Sequence, residues 1–446
     1  MEAAETFARP TAVQHGKLLR ILGVGFGLAI AIGGTIGVGI LRNPSGVAAQ
    51  LGSYWWIISA WVLGGVYCLL GANYLAELAT MTPKAGGFYV HSHRAFGDYG
   101  GFVVGWSDWA NNTLALGFIS VVFGEYASGL FIPGQPWGRV ACSVSVLMII
   151  AFVNWLGVRS GSGVQKVTSV LKAAALMAFV IACFAFGGQT GERATPDPVP
   201  TGFFAGLTAF VLAFQIVLST YDGYYSPIYF SEEDTNPSQN IARSMFGGIA
   251  LITGLYVLVN AALLYVLPIS QLASSTFAGG DAMGAIFGER AGQIVTVLAL
   301  LSLIGIINAI MMMAPRITFA LGRDGLFTSR ADEVNSGGTP SFALITTTLC
   351  AVVLTSVGTF DLLLAIGQFL LVVVMILLVI ALFVLRRREP DAPRPYRTWG
   401  YPFTPLLMLT FAVLLFIGYC VSNPFPSAIA AAALVLSYPL FRLVKR

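Results

Sequence analysis

Long apolar stretches separated by short polar segments dominate the chain. Because a bilayer core takes about 20 apolar residues per helix, this pattern predicts twelve membrane-spanning helices. The predicted spans are roughly 21–40, 53–76, 100–127, 138–157, 166–187, 203–230, 244–267, 291–319, 341–358, 361–385, 403–421 and 425–443. Transmembrane strands are excluded, since they run about 9–11 residues and alternate apolar with polar positions. We therefore expect an all-α membrane protein.

The composition supports this interpretation. Hydrophobic residues make up 57% of the 446 positions and charged residues only 10%, whereas about 25% of the residues of a soluble domain are charged. The mean hydropathy is +0.80. These values exclude a soluble enzyme, a disordered protein and a nucleic-acid-binding protein, so no nucleic-acid partner is expected.

The placement of Lys and Arg predicts the orientation of the spans. Nineteen of the 24 basic residues fall on the side of the N-terminus, four fall on the other side, and Lys172 lies within a span. Since basic residues concentrate in cytoplasmic loops, both termini are expected in the cytoplasm. The predicted location is the plasma membrane, or the inner membrane if the source is bacterial.

Cysteine and histidine point to no metal site. The five cysteines are isolated in apolar stretches, and no CxxC pattern occurs. We interpret the closely spaced His91 and His93 as solvated or interfacial side chains. No metal and no cofactor are expected.

Span one contains an unusual density of glycine. Seven of its 20 residues are glycine, and each costs about 1 kcal/mol in a helix. Close packing against other helices explains those at 23–27. The cluster at 33–39 covers most of the helix circumference, so it favours an unwound segment whose backbone groups face a ligand.

Span six is interrupted by the polar, turn-like run 219–227, Ser-Thr-Tyr-Asp-Gly-Tyr-Tyr-Ser-Pro. Unsatisfied backbone cannot face lipid, so this run must line protein or a wet cavity; a proline kink satisfied by neighbouring helices is the alternative. The two interrupted spans are five helices apart. An inverted repeat of five plus five helices would bring both breaks together at the midplane.

This pattern divides the chain into five segments. A cytoplasmic tail at 1–20 precedes a first repeat at 21–187 and a second repeat at 203–385. A basic cytoplasmic loop at 386–402 leads to two additional helices at 403–443.

Ionisable residues within spans are functional candidates because their burial in a bilayer is costly. Lys172 in span five and Asp222 in the break of span six qualify, although Lys172 could also snorkel to the interface. We expect Asp108 to be a wet group near the cytoplasmic end of span three and Glu125 to be structural. Asn308 in span eight is explained equally well by interhelical hydrogen bonds and by a substrate.

Four stretches of the sequence resemble a known group of proteins. They are Gly34-Thr35-Ile36-Gly37-Val38-Gly39-Ile40, the segment from Glu77-Leu78 through Gly86-Gly87-Phe88-Tyr89 to Ala95-Phe96-Gly97, the segment from Tyr221-Asp222-Gly223 through Glu232-Glu233 to Asn236-Pro237, and Arg323-Asp324-Gly325 with Thr339-Pro340. With these motifs the chain resembles the amino acid–polyamine–organocation (APC) superfamily of secondary transporters, near its L-type amino acid transporter and exchanger branch.

The resemblance implies a five-plus-five inverted repeat with broken helices 1 and 6, followed by two C-terminal helices. In similar proteins, backbone N–H groups after the break in helix 1 bind the substrate carboxylate, and carbonyls at the ends of the first half-helices receive its ammonium group. The implied substrate-binding residues are Thr35, Ile36, Gly37, Val38, Gly39, Ser219, Thr220, Tyr221, Asp222 and Tyr224. Lys172 takes the place of a sodium ion in sodium-coupled relatives. Because a charge within a span cannot be left unpaired, we expect its partners to be carbonyls at the break in span one and polar groups of span eight such as Asn308.

Three positions depart from the pattern of the group and leave side-chain specificity open. Val38 replaces a common Ser, Ser219 replaces a gating aromatic residue, and Tyr224 replaces the usual Trp. In heteromeric animal members, a cysteine outside the membrane links to a partner glycoprotein. Cys142 falls within predicted span four, so no such heavy-chain partner is inferred.

The expected function is secondary active transport of amino acids by alternating access, without an enzymatic step. An exchanger and a proton-linked permease both remain open, and transport is expected to be independent of sodium. The alternatives are a polyamine or organic cation antiporter, a transport-incompetent membrane sensor and a membrane enzyme. The expected partners are a small-molecule substrate, the lipid bilayer and, for a proton-linked permease, protons.

Overall fold

The computed structural model describes residues 14–15, 17–188 and 202–445, most of them in α-helices. The predicted tail at 1–20 is thus described only in part. Two two-residue strands, Gln14–His15 and Glu333–Val334, pair antiparallel with Gln14 opposite Val334. The fold is all-α, as the apolar pattern predicts.

The described helices follow one another with short connections. In chain order they are α1 (Val24–Thr35), α2 (Gly39–Arg42), α3 (Pro44–Leu51), α4 (Tyr54–Met81), α5 (Phe88–Phe131), α6 (Gly138–Trp155), α7 (Val158–Phe186), α8 (Phe203–Tyr221), α9 (Pro237–Val266), α10 (Ile269–Ser274), α11 (Ala278–Phe287), α12 (Glu289–Arg323), α13 (Ser341–Val357), α14 (Phe360–Arg388), α15 (Phe403–Ser422) and α16 (Pro424–Val444), with 3-10 helices at Ser226–Phe230 and Ser329–Asp332.

All twelve predicted spans contain helix, and spans one and six are interrupted. Ten segments of the described chain are long and apolar enough to cross a membrane, by length and composition. The other two predicted spans correspond to the shorter apolar helices Val24–Thr35 and Ser341–Val357. The first of these is short because span one is broken, as its glycine cluster predicts. The protein is therefore a multi-pass membrane protein.

Three features differ from the predicted spans. Helix α5 begins at Phe88, twelve residues before predicted span three, and bends at Gly97, which has a φ of 75°. The second half of span one continues to Leu51 rather than ending near residue 40. Two short helices, α10 and α11, connect α9 to α12. The apolar pattern misses all three because they lie in polar or short segments.

Both described ends of the chain lie on one side of the bundle, which we call the tail face. Lys445, after α16, pairs with Asp98 at an Nζ–Oδ2 distance of 2.5 Å. Arg94 on α5 pairs with Glu389, which follows α14, at 2.5 Å. The other side is called the opposite face.

The predicted basic loop at 386–402 folds back onto α4 at the tail face. Glu77 is fully buried. Its carboxylate accepts hydrogen bonds from both Nε (2.8 Å) and Nη2 (2.5 Å) of Arg386 and from the backbone N–H of Thr398 (2.7 Å). These charge-assisted bonds satisfy the buried carboxylate and hold the loop against the helical core.

Candidate substrate site between the two broken helices

A cavity of about 400 Å³ lies between the two breaks. Its inner end is lined by Gly34, Asp222 and Ser226, and it reaches the opposite face at Arg42 and Phe360. The wall between these ends is mainly apolar, and its apolar members include Ala115, Phe118, Ile119, Val122, Ile216, Leu303, Ile306, Ile310 and Met313. The cavity therefore offers a small polar end and a larger apolar region.

The break in span one leaves backbone donors without partners. Helix α1 ends at Thr35, Ile36 is extended with a ψ of 109°, and the helix resumes at Gly39. Asn43 has helical angles, so α2 and α3 form one helical run that starts at this cavity. The N–H groups of Val38 and Gly39 have no backbone acceptor in the described part of the chain. Such a helix start attracts an anion.

The break in span six brings a carboxylate to the cavity. Helix α8 ends at Tyr221, and Asp222 leaves the helical region with a ψ of 139°. Gly223 follows with a φ of 107°. The hydroxyl of Tyr225 donates to Asp222 Oδ1 at 2.7 Å, and this bond fixes the carboxylate at the cavity wall.

The hydroxyl of Tyr256 on α9 joins the two breaks. It lies 3.1 Å from the carbonyl oxygen of Thr35 and 3.1 Å from that of Thr220. Both carbonyls end a half-helix and lack an intrahelical donor. Sequence reasoning missed this residue because nothing in the local pattern of α9 distinguishes it from other buried aromatic residues.

Seven of the ten predicted substrate-binding residues line the cavity; they are Thr35, Gly37, Val38, Gly39, Ser219, Thr220 and Asp222. The other three lie behind its wall. Ile36 is 1% exposed, and the Tyr221 hydroxyl donates to the carbonyl of Trp61 at 2.9 Å. Tyr224 lines a separate cavity of about 60 Å³. For these three side chains, the structure gives no direct path to a ligand in the large cavity.

Lys172 reaches the break in span one, and it does not snorkel. It is 2% exposed, and its Nζ donates to the carbonyls of Gly33 and Ile36 at 2.7 Å each. A longer contact of 3.4 Å joins Nζ to the carbonyl of Ser302 on α12. Three carbonyl oxygens thus surround the ammonium group, in the manner of a bound cation.

The expected partnership between Lys172 and Asn308 is absent. The Asn308 amide donates to Gln165 Oε1 at 2.8 Å and to the carbonyl of Gly161 at 3.1 Å, and its oxygen accepts from Asn154 at 2.9 Å. These bonds tie α12 to α6 and α7. Lys172 contacts α12 at Ser302, almost two turns earlier, so a backbone carbonyl replaces the predicted side chain.

Ion pairs and aromatic rings close the passage from the cavity to the tail face. Phe26 on α1 packs edge-on against Phe230 at 5.0 Å, and the Arg316 guanidinium lies 4.4 Å above the Phe230 ring. Arg316 also pairs with the buried Glu233 at 2.5 Å. The structure is therefore open toward the opposite face and closed at the tail face.

Asp108 does not lie where the sequence placed it. It is 1% exposed and lies between the cavity and the tail-face closure, rather than in water. The Tyr229 hydroxyl lies 2.8 Å from its Oδ1 and 3.0 Å from its Oδ2. The expectation of a wet group was wrong because α5 starts much earlier than predicted, which moves Asp108 into the bundle.

The described residues contain no group of three His, Cys, Asp or Glu side chains that could hold a metal ion. His91 is buried, contrary to expectation. His93 lies near the tail face and contacts Asp98 at 3.0 Å and Asp324 at 3.6 Å. The candidate chemistry of the large cavity therefore comes from backbone groups, Asp222 and hydroxyl groups.

Two broken helices that meet at a cavity within a bundle of apolar helices are the arrangement of many secondary transporters. The chain belongs to the amino acid permease family, whose profile matches residues 27–438. This assignment makes amino acid transport its function and does not favour the polyamine alternative.

Similar proteins carry names of amino acid transporters. The chain is 28% identical over 401 residues to the serine/threonine exchanger SteT of Bacillus subtilis. This match covers 89% of this chain and 90% of SteT. It is 28% identical over 435 residues to human b(0,+)-type amino acid transporter 1, a match that covers 95% of this chain and 88% of the human protein. Branched-chain amino acid permease BcaP of Bacillus subtilis is 25% identical over 414 residues, a match that covers 87% of this chain and 86% of BcaP.

Proposed function

We propose that the protein carries neutral amino acids between the opposite face and the tail face by alternating access, without sodium and without an enzymatic step. The observation that carries this proposal is the helix start at Gly39, whose free N–H groups face the same cavity as Asp222. One site thus offers donors for a carboxylate and acceptors for an ammonium group. An amino acid has both groups on neighbouring atoms.

In this proposal, the carboxylate accepts hydrogen bonds from the N–H groups of Val38 and Gly39. The ammonium group faces the carbonyl ends of α1 and α8, at Thr35 and Ser219, and the carboxylate of Asp222. Because Tyr256 already bonds the Thr35 carbonyl, only its second lone pair remains for the substrate. The half-helix dipoles favour this arrangement, since an N-terminal end attracts anions and a C-terminal end attracts cations.

The substrate's side chain would occupy the apolar part of the cavity. Ile216, Ile306 and Ile310 line this region, and none of them can pair with a charged side chain. Two relatives are named for serine and threonine and for branched-chain amino acids. Small and branched neutral amino acids are therefore the proposed substrates, whereas a polyamine would leave the carboxylate donors unpaired.

The tail face is proposed to face the cytoplasm of a plasma membrane, because Lys and Arg concentrate there. In the structure the cavity is then open to the outside. Lys172 is proposed to hold the two sides of the helix 1 break in place of a coupling cation, since its ammonium group already occupies three carbonyl oxygens. No heavy-chain partner is proposed.

The binding test compares an amino acid with its ester. The Tm of the purified protein is measured with L-serine, L-leucine, their methyl esters and putrescine. A ligand that binds only the folded state at a hundred times its Kd adds about 2.7 kcal/mol of stability, so the free amino acids should raise the Tm. The esters and putrescine should not. Equal stabilisation by ester and acid would contradict the carboxylate site.

A further inference from the structure

Asp108 is a buried carboxylate without a positively charged partner. Its side chain accepts hydrogen bonds from the Tyr229 hydroxyl and from the Asn112 amide, the latter at 3.0 Å. No Lys, Arg or His in the described part of the chain forms an ion pair with it. An unpaired charge at this depth costs several kcal/mol, whereas a neutral carboxylic acid does not carry this cost.

The groups around Asp108 supply no compensating charge. The titratable groups that face it are Tyr229, Tyr225 and Asp222, and a second carboxylate at Asp222 opposes ionisation. The helices packed against α5 carry other titratable or charged side chains, and none of these pairs with Asp108. They are Arg139 and Cys142 on α6, Arg290, Arg316 and Arg323 on α12, Cys350 on α13, Asp361, Arg386, Arg387 and Arg388 on α14, and Tyr438 and Arg442 on α16.

The hydrogen bonds of Asp108 suit either protonation state. Because the Tyr229 hydroxyl is within reach of both carboxylate oxygens, it can donate its proton to Oδ1 and accept a proton carried by Oδ2. Lys172 differs, since its three ammonium protons match the three carbonyls around it. The group suited to gain and lose a proton is therefore Asp108 and not Lys172.

Asp108 also lies at the boundary between the cavity and its tail-face closure. Asn112, one turn along α5, both lines the cavity and bonds Asp108. Tyr229 belongs to the 3-10 helix that ends at Phe230, and Phe230 packs in the closure. Opening the tail face must displace this segment, so it must break or remake the bond between Asp108 and Tyr229.

From these observations we propose that Asp108 is a proton-binding site that couples proton movement to transport. With the cavity open, a proton from cavity water adds to a carboxylate oxygen of Asp108, and the neutral acid fits the closed tail face. When the tail face opens, water reaches Asp108, the O–H bond breaks and the proton leaves there. The empty protein then closes its tail face with Asp108 ionised and held by its bonds from Tyr229 and Asn112, so each cycle moves one proton. The proton and the amino acid then travel in the same direction. This inference rests on the proposed transport function and chooses the proton-linked permease over the pure exchanger.

The test uses the full chain in sodium-free proteoliposomes that contain a pH-sensitive dye, with L-serine and L-leucine as probes. In the wild type, a gradient of one pH unit should accumulate the amino acid about tenfold if one proton accompanies each molecule. Asp108→Asn should lose this accumulation and the accompanying proton entry. It should keep exchange of labelled for unlabelled amino acid, because the neutral amide imitates the protonated acid.

The control is Glu125→Gln, which removes an exposed carboxylate from the same helix and should behave as the wild type. Intact exchange without gradient-driven accumulation in the wild type would overturn the proposal. So would gradient-driven accumulation by Asp108→Asn. Absence of all exchange in the wild type would instead count against the transport function itself.

If Asp108→Asn does not fold, infrared spectroscopy of the wild type decides. At neutral pH, a protonated carboxylic acid should give a C=O stretching band, and Tyr229→Phe should shift the frequency of this band by removing a hydrogen bond. A spectrum without a band that responds to Tyr229→Phe would overturn the proposal.

Discussion

Gly34 and Gly223 bring the backbones of the two broken spans into contact. A Cβ atom on Gly223 would lie 2.6 Å from the carbonyl oxygen of Gly34, and Gly223 has a φ of 107°. Both facts exclude a side chain at residue 223. The contact places the ends of α1 and α8 side by side, so their carbonyls can share one ligand.

The residue that tests the carboxylate site most simply is Gly39. A Cβ atom there would lie 3.3 Å from Asn43 Nδ2 and 3.4 Å from Thr220 Cγ2, where Asn43 donates to Thr220 at 2.7 Å. Gly39→Val should fill the approach to the N–H groups and disturb this bond. Loss of one charge-assisted hydrogen bond costs about 1.5–3 kcal/mol, so affinity for L-serine should fall at least about tenfold.

Gly25→Val is the matched control, because a Cβ at Gly25 meets no atom within 4 Å and lies on the same span. Both variants should reach the membrane at the wild-type level. Isothermal titration with L-serine measures the difference. An unchanged affinity of Gly39→Val for L-serine would show that the substrate carboxylate does not bind at this position.

Local sequence indicated the residues whose chemistry is unusual for a bilayer. Asp222 and Lys172 were identified because they are charged within apolar spans, and the 33–39 cluster because glycine weakens a helix. Tyr256 was not, since its partners lie 221 and 36 residues away. Distant pairing of this kind depends on tertiary packing, which no local pattern encodes.

Helix α7 holds α1 through a line of polar side chains spaced along one face. Ser169 Oγ donates to the carbonyl of Ala29 at 2.7 Å, and Lys172 continues the line to Gly33 and Ile36. The bonds from Lys172 satisfy the carbonyls of Gly33 and Ile36, which the break would otherwise leave free. Helix α7 therefore holds the end of α1 in place.

Helix α9 makes the corresponding connection from the other side, and Tyr256→Phe tests it. The ring should keep its contacts with Trp61 at 5.7 Å and Tyr221 at 4.9 Å. The lost hydroxyl should cost about 1 kcal/mol and loosen the two half-helix ends. We expect the KM for L-serine in proteoliposomes to rise about fivefold, as a coupling energy of about 1 kcal/mol implies, with a small decrease in Tm.

The control for Tyr256→Phe is Tyr265→Phe, an exposed tyrosine at the end of the same helix. It should leave both KM and Tm unchanged. A KM for Tyr256→Phe equal to that of the wild type would show that the two breaks do not depend on this hydroxyl.

The elements themselves were predictable where apolar length decides them. Sequence reasoning failed for the start of α5, because the segment 88–99 contains His91, His93, Arg94 and Asp98 and does not read as a span. Of these residues, His93, Arg94 and Asp98 form tail-face contacts with Asp324, Glu389 and Lys445, respectively. A helix that extends beyond the bilayer does not need the apolar pattern that identifies a span.

At the scale of the whole molecule, the structure represents one of the two states that alternating access requires. The cavity reaches the opposite face, and the closure at Phe26, Phe230 and Arg316 seals the tail face. To reach the second state, the bonds of the 3-10 helix to Asp108 and of Glu233 to Arg316 must rearrange. Lys172 on α7 bonds the carbonyls of Gly33 and Ile36 at the break in span one and contacts Ser302 on α12. We expect these contacts to differ between the two states, so Lys172 should affect turnover more than binding.

Exchange of labelled L-serine in proteoliposomes, with sodium and with choline in its place, tests the central claim most directly. Lys172→Ala is compared with Lys166→Ala, which removes an exposed lysine from the same helix. We predict equal wild-type rates in both salts, an unchanged Lys166→Ala, and a Lys172→Ala that binds L-serine but exchanges it at less than about one tenth of the wild-type rate, equivalent to about 1.4 kcal/mol in the barrier. A strict sodium requirement of the wild type, or a wild-type rate for Lys172→Ala, would contradict the account.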